Sequence, residues 1–169
     1  MNSKSSVYLF ESHSNDCDIN PIIIKAKSFH DALKKLKNDN QIEDKLLKIK
    51  LWESLNNLEY RYYYKNPQFW MKIEKIEKQR PGEKYYLVTV FNWKRCESEV
   101  FMVSAENYDS ALSQLIYVIE SDYKVPKKLS DWDKENDGYF YYHETKKEDY
   151  YVSIQEVRFP KGESIFYHK

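Results

Sequence analysis

Glycine is nearly absent, with three in 169 residues. Loops that cradle phosphate, and dinucleotide fingerprints, need glycine where the backbone must approach a ligand. Neither pattern occurs, which sets aside nucleotide chemistry of those two kinds. Cysteine is scarcer still: Cys17 and Cys96 make no disulfide framework and cannot complete a zinc site between them. Long apolar runs are missing as well. The N-terminal Val7-Tyr8-Leu9-Phe10 is too short for a signal-peptide core and reads better as a strand, and nothing approaches the ~20 apolar residues of a membrane span. With no targeting segment visible, the cytoplasm is the expected location, with no membrane association. No GxSxG, phosphate loop or paired CxxC appears either. Catalytic residues, bound metal and cofactors are therefore not expected.

The residues that are present point to a globular chain. Apolar content is 41% and charged content 32%, which sets disorder aside, and 16 tyrosines account for most of a 17% aromatic share. Formal charge is zero but unevenly divided. Residues 1–84 hold 16 Lys/Arg against 12 Asp/Glu, a balance of +4; residues 85–169 hold 11 against 15, a balance of −4. Such asymmetry supports head-to-tail contacts or points one half towards a polyanion, although two solvated surfaces that drifted apart are the simpler explanation.

The chain repeats itself at an offset of 79 residues. Cys17 falls on Cys96, Ala26 on Ala105, Ala32 on Ala111, Leu33 on Leu112, Leu36 on Leu115, Tyr60 on Tyr139, Tyr62 on Tyr141 and Pro81 on Pro160. Each copy opens on an aromatic, β-branched run (7–10, then 85–91). A second such run follows a polar link (22–27, then 100–105), which predicts an antiparallel hairpin. Ser28 then reads as an N-cap with Asp31 three residues on, and Phe29, Ala32, Leu33 and Leu36 make one apolar stripe at i, i+3, i+4 and i+7. Asn107 caps the second copy, and Tyr108, Ala111, Leu112 and Leu115 repeat the stripe; that helix is predicted to run to Ile119.

Each helix must lay its stripe on a sheet, because a lone hairpin and a lone short helix are both marginal in water. Aromatic strands follow at 60–64 and 139–142, then final strands at 70–76 and 151–157, the last now at an offset of 81. An extra short strand is expected at 46–52. The fold expected is α+β: a tandem duplication of a ββαββ unit, with antiparallel sheet(s) and one helix per copy packed on one face. The copies are expected at 5–83 and 84–162, with 163–169 as a C-terminal tail. Whether the copies share one sheet is left open at this point, as is the oligomeric state.

The tyrosine strands carry the functional expectation. Tyr60, Tyr62 and Tyr64 point to one side while Arg61, Tyr63 and Lys65 point to the other. Tyrosine and tryptophan supply large contact area at low entropic cost, so exposed rings suit a protein-binding face, with Trp70, Trp93, Trp132, Tyr139 and Tyr141 as further anchors. Trp52 joins the same set. The leading expectation is a non-enzymatic protein-binding module, in its concrete form a small inhibitor of a host system carried by a phage or mobile element. That form rests on size, absent catalytic motifs and an AT-rich coding bias towards Lys, Asn, Ile and Tyr.

The alternative is a single-stranded nucleic-acid-binding protein, with bases stacked on the tyrosine-rich sheet face of the first copy and Arg61, Lys65, Lys72, Lys75, Lys78 and Arg80 collecting phosphates. Against it stands a net charge of zero. Core packing explains most of the rings in either case. The carboxylates of 131–149 read as a solvated turn region. His143 with Glu144, and His13 with Cys17 and His30, read as surface and hairpin-turn residues.

Overall fold

Runs of aromatic and β-branched residues become strands here because each can bury one pleated face under a helix. The computed structural model describes residues 5–13, 21–38, 52–56, 58–63, 70–77, 80–161 and 163–167. Two compact units emerge: Met1–Glu77 with Arg158–Lys169, and Lys78–Val157.

The first unit holds β1 (Ser6–His13), β2 (Ile22–Ala26), helix α1 (Phe29–Asn38), β3 (Glu53–Ser54), β4 (Glu59–Tyr63) and β5 (Trp70–Ile76). The second holds β6 (Lys84–Asn92), β7 (Glu97–Ala105), α2 (Tyr108–Ile119), β8 (Asp133–Glu135), β9 (Gly138–Glu144) and β10 (Asp149–Glu156). A last strand, β11 (Ile165–Tyr167), returns to the first unit. The sheets are antiparallel and ordered β11-β2-β1-β5-β4-β3 and β7-β6-β10-β9-β8. Apart from β11 the two orders are the same, so the duplication extends to topology. There are two sheets, each with its own helix.

The expected ββαββ unit gains one short strand, β3 or β8. The short strand expected at 46–52 falls outside the described residues except for Trp52, and β3 begins one residue beyond it. The 163–169 segment, read as a tail, contributes β11. Cys96 closes the β6–β7 turn in the left-handed region (φ 51°) and is disulfide-bonded. Among the described residues no helix is long and apolar enough to cross a membrane.

Each core lies between helix and sheet. Ala32, Leu33 and Leu36 of α1 meet Tyr8, Phe10, Ile22, Ile24, Met71 and Ile73, and Ala111, Leu112, Leu115 and Ile119 of α2 meet Tyr86, Val88, Val90, Val152 and Ile154. The stripes read from the sequence are the buried ones. At the start of α1, Ser28 Oγ accepts from Asp31 N–H (3.2 Å) and Asp31 Oδ2 accepts from Lys27 N–H (2.9 Å); at the start of α2, Asn107 Oδ1 accepts from Ser110 N–H (2.9 Å). Each cap satisfies donors that the helix itself cannot.

Candidate functional site

Strand parity decides which rings are core and which are surface. In β4, Tyr60 lies flat on Phe29 of α1 (centroids 3.7 Å apart, planes 6° apart), and Tyr62 is buried beside Trp52 (6.0 Å). The second copy repeats this layer. Tyr139 meets Tyr108 edge-on (5.0 Å) and Tyr141 meets Trp132 (5.8 Å), whose indole N–H donates to the Pro126 carbonyl (3.0 Å). Tyr60, Tyr62, Trp132, Tyr139 and Tyr141 thus face the helix side of their sheets and fill the aromatic margin of the cores. Tyr64 and Lys65 lie outside the described residues.

Arg61 and Trp70 lie together on the other side of the first sheet. Arg61 stands 5.9 Å over the Trp70 ring while its Nε donates to Glu59 (2.6 Å). The remaining described cations of the expected basic run are also engaged. Lys72 Nζ sits 2.8 Å from Glu11 and 3.4 Å from Glu74, Lys75 pairs with Glu77 (3.2 Å) and Arg80 with Glu106 (3.7 Å).

The second sheet's face away from α2 is different. Register places Phe91, Tyr151 and Tyr142 side by side across β6, β10 and β9. Trp93, the first residue of the β6–β7 turn, packs edge-to-face on both ends of that row: 5.0 Å from Phe91 at 71° and 5.7 Å from Tyr142 at 73°. Phe140 stacks on Tyr151 (6.1 Å, 29°) and extends the patch by one row. Two anchors hold the turn: Trp93 N–H donates to the Asp149 carbonyl (2.9 Å), and the buried Asn92 Oδ1 accepts from Arg95 N–H (3.0 Å).

Trp93 and Tyr142 nevertheless remain 49% and 47% exposed. Partial desolvation, then hydrogen bonding to and the charge of Asp149, with the Glu144 carboxylate adding to both, hold the Tyr142 phenol above its usual range. The ring therefore stays a neutral donor. Lys94 and Arg95 flank Trp93 at the surface, with Arg95 4.0 Å from Glu97.

Of the residues singled out from sequence, only Trp93 belongs to this patch. Tyr142, Tyr151, Phe91 and Phe140 were missed as site residues, and the signal that finds them is register across three strands rather than composition. Of the four tryptophans only Trp93 is exposed; Trp52 and Trp132 are buried and Trp70 is half-buried.

His143 stacks on Tyr150 (4.7 Å), with Nδ1 3.4 Å from the Tyr141 hydroxyl and Nε2 3.8 Å from Glu148. Cys17 and the His13 side chain lie outside the described part of the structure. Among the described residues no group of three or more His, Cys, Asp or Glu is arranged to hold a metal ion. No protein-family model, curated protein or solved structure matches the chain.

Proposed function

We propose that the chain is a non-enzymatic protein-binding module whose contact surface is the aromatic patch of the second unit, centred on Trp93 and Tyr142. The observation that carries this reading is the exposure of two large rings at the end of a continuous cross-strand aromatic row. Aromatic anchors surrounded by a polar rim are the usual energetic centre of a protein interface. Lys94, Arg95, Glu97 and Glu144 supply such a rim. Inhibition of a host system is one form of this activity; its support is the chain's size and coding bias rather than the geometry of the patch.

The nucleic-acid alternative has less behind it. Tyr60 and Tyr62 are occupied against the helix layer, and Arg61, Lys72, Lys75 and Arg80 already face carboxylates.

The test is affinity capture from a host lysate with the native chain and with Trp93→Ala and Tyr142→Ala, at unchanged thermal stability. The native chain is expected to retain a specific protein and each variant to lose it at least tenfold. Equal retention by all three chains, or salt-dependent binding of a labelled oligonucleotide in place of a protein, would overturn the assignment.

A further inference from the structure

The duplication leaves one place where the copies differ in how a sheet ends. In the first unit the outer edge of β2 is covered: β11 pairs with it antiparallel, setting Ile165 opposite Ile24, Phe166 opposite Ile23 and Tyr167 opposite Ile22. Lys25 N–H continues that ladder to the Ser164 carbonyl (2.7 Å). The equivalent strand of the second unit is β7, with Phe101, Met102 and Val103 standing where Ile22, Ile23 and Ile24 stand in the first. Among the described residues β7 pairs with β6 alone, so residues 99–103 form the outer strand of this sheet with no described strand beyond them. Proteins usually blunt such edges with charge, proline, a bulge or a cover. Phe101-Met102-Val103 has none of these, and its nearest charge in the strand is Glu99.

We propose that the outer edge of β7 is a second binding site, which takes up an extended strand of another protein by antiparallel β-augmentation. The partner strand has the chemistry of this chain's own Ile165-Phe166-Tyr167, an aliphatic residue and two aromatics, with a cation two residues further on. Main-chain bonds supply affinity in this mode and alternate side chains supply selectivity.

The charge requirement follows from register. Transferring the β11 pairing to β7 sets the positions of Ile165, Phe166 and Tyr167 opposite Val103, Met102 and Phe101, and the position of Lys169 opposite Glu99. Glu99 lies on the helix side, and burial together with the nearby charges of Asp122 and Glu97 pushes its carboxyl above the usual range. A cation opposite it relieves that crowding.

A second copy is the poorer occupant. Its C-terminal strand would give up at its own β2 the same bonds it gained at β7. Its β7 would bring Glu97 and Glu99 alongside theirs, from a unit holding 11 Lys/Arg against 15 Asp/Glu, a balance of −4.

The probe is a synthetic decapeptide with the sequence of residues 160–169, added at millimolar concentration to the full chain and followed by amide hydrogen exchange. Slowed exchange at 99–103 is expected. Glu99→Lys, an exposed substitution that leaves circular dichroism unchanged, should weaken binding about threefold, and a peptide carrying Lys169→Glu should recover it. Trp93→Ala should leave peptide binding within about twofold, which separates this site from the aromatic patch. Absence of protection at 99–103, protection confined to 22–26, or failure of the charge reversal to recover binding would overturn the proposal. So would protection that grows with protein concentration without peptide, since the occupant would then be a second copy.

Discussion

Lys72→Met should destabilise the first unit by about 3–5 kcal/mol, although Lys72 is a charged residue on a sheet face. The Lys72 side chain is 15% exposed and that of its partner Glu11 3%, with Nζ 2.8 Å from the carboxylate. At an effective dielectric near 20 the attraction is about 6 kcal/mol, and the desolvation of two ions offsets most of it. The intact pair is thus close to neutral, whereas removing the ammonium leaves the buried Glu11 carboxylate without that counter-charge.

The second copy shows the uncharged solution. At the equivalent register position Thr89 faces Ser153, so the site tolerates a neutral pair. The double variant Glu11→Gln/Lys72→Met should accordingly cost only about 1 kcal/mol, less than Lys72→Met alone, with a coupling energy of about 2–4 kcal/mol. Urea unfolding followed by circular dichroism measures this. With a slope of about 1–3 kcal/mol per molar, a loss of 3 kcal/mol lowers the midpoint by 1 M or more.

Alkali gives an independent check. Burial pulls the Lys72 ammonium down, but the charge and hydrogen bond of Glu11, with a smaller contribution from Glu74, outweigh it and raise its pKa above the usual range. The pair's contribution is therefore fully present below the unfolded lysine value of about 10.4 and is lost as pH climbs through the higher folded one. A cost below about 1 kcal/mol for Lys72→Met, or a double variant as damaging as the sum of the singles, would refute the reasoning.

Three further outcomes follow from local geometry. Gly138→Ala should cost about 1–3 kcal/mol by thermal melting, because a Cβ there would collide with the Ile154 carbonyl oxygen of the paired strand and press on Gln155 Cα at 3.1 Å, both backbone atoms with little room to move. Asn107→Ala should cost about 1 kcal/mol, visible as faster amide exchange at Ser110, whose N–H loses its acceptor. The Asp31 carboxyl is held below its usual range, chiefly by the Lys27 N–H and further by Lys35. Its contribution is present above the unfolded value of about 3.9 and is lost as pH falls through the folded one. The native chain should therefore be more stable than Asp31→Asn at neutral pH and the gap should close in acid, because the variant has no carboxyl to protonate; melts followed by circular dichroism across that range measure this.

Much of the fold is legible in the sequence because the local signals agree with one another. Ser28 and Asn107 mark helix starts that the structure places at Phe29 and Tyr108, the stripes ending at Leu36 and Leu115 pack in the cores, and the second helix ends at Ile119 as expected. The strand runs at 22–27, 60–64 and 85–91 appear with boundaries shifted by a residue or two. What the sequence does not reveal is non-local. The first strand of each copy pairs with its last long one, β1 with β5 and β6 with β10, which puts β2 and β7 on the outer side of their copies, β2 then being covered by β11. No periodicity within a strand reports its neighbour. The β11 contribution is hidden for the same reason: three residues near the chain end have too little pattern to read as a strand.

The aromatic strands show why the patch itself was misplaced. Rings fall on both sides of β4 and β9, so alternation separates Tyr139 and Tyr141 from Phe140 and Tyr142 without saying which set meets the helix. That choice is made by Tyr108 in α2, whose ring lies against Tyr139 and Tyr86 and whose hydroxyl donates to the Asp137 carbonyl (2.7 Å) and accepts from Glu156 N–H (3.2 Å). With odd positions of β9 committed to the helix, Tyr142 must point the other way, into the row with Tyr151 and Phe91. The first copy applies the same constraint through Phe29 and Tyr60. Its opposite face, however, carries Arg61 over Trp70 where the second has Phe140 on Tyr151. Both copies share the helix layer, and both bury apolar residues on the far face (Val7, Leu9 and Ile23 in one, Leu87 and Val100 in the other); they diverge beside these, with Arg61 over Trp70 in the first and Phe140 on Tyr151 in the second. The exposed pair Trp93 and Tyr142 sits at that diverged margin, where a contact surface is expected, because the helix side is already committed to holding each unit together.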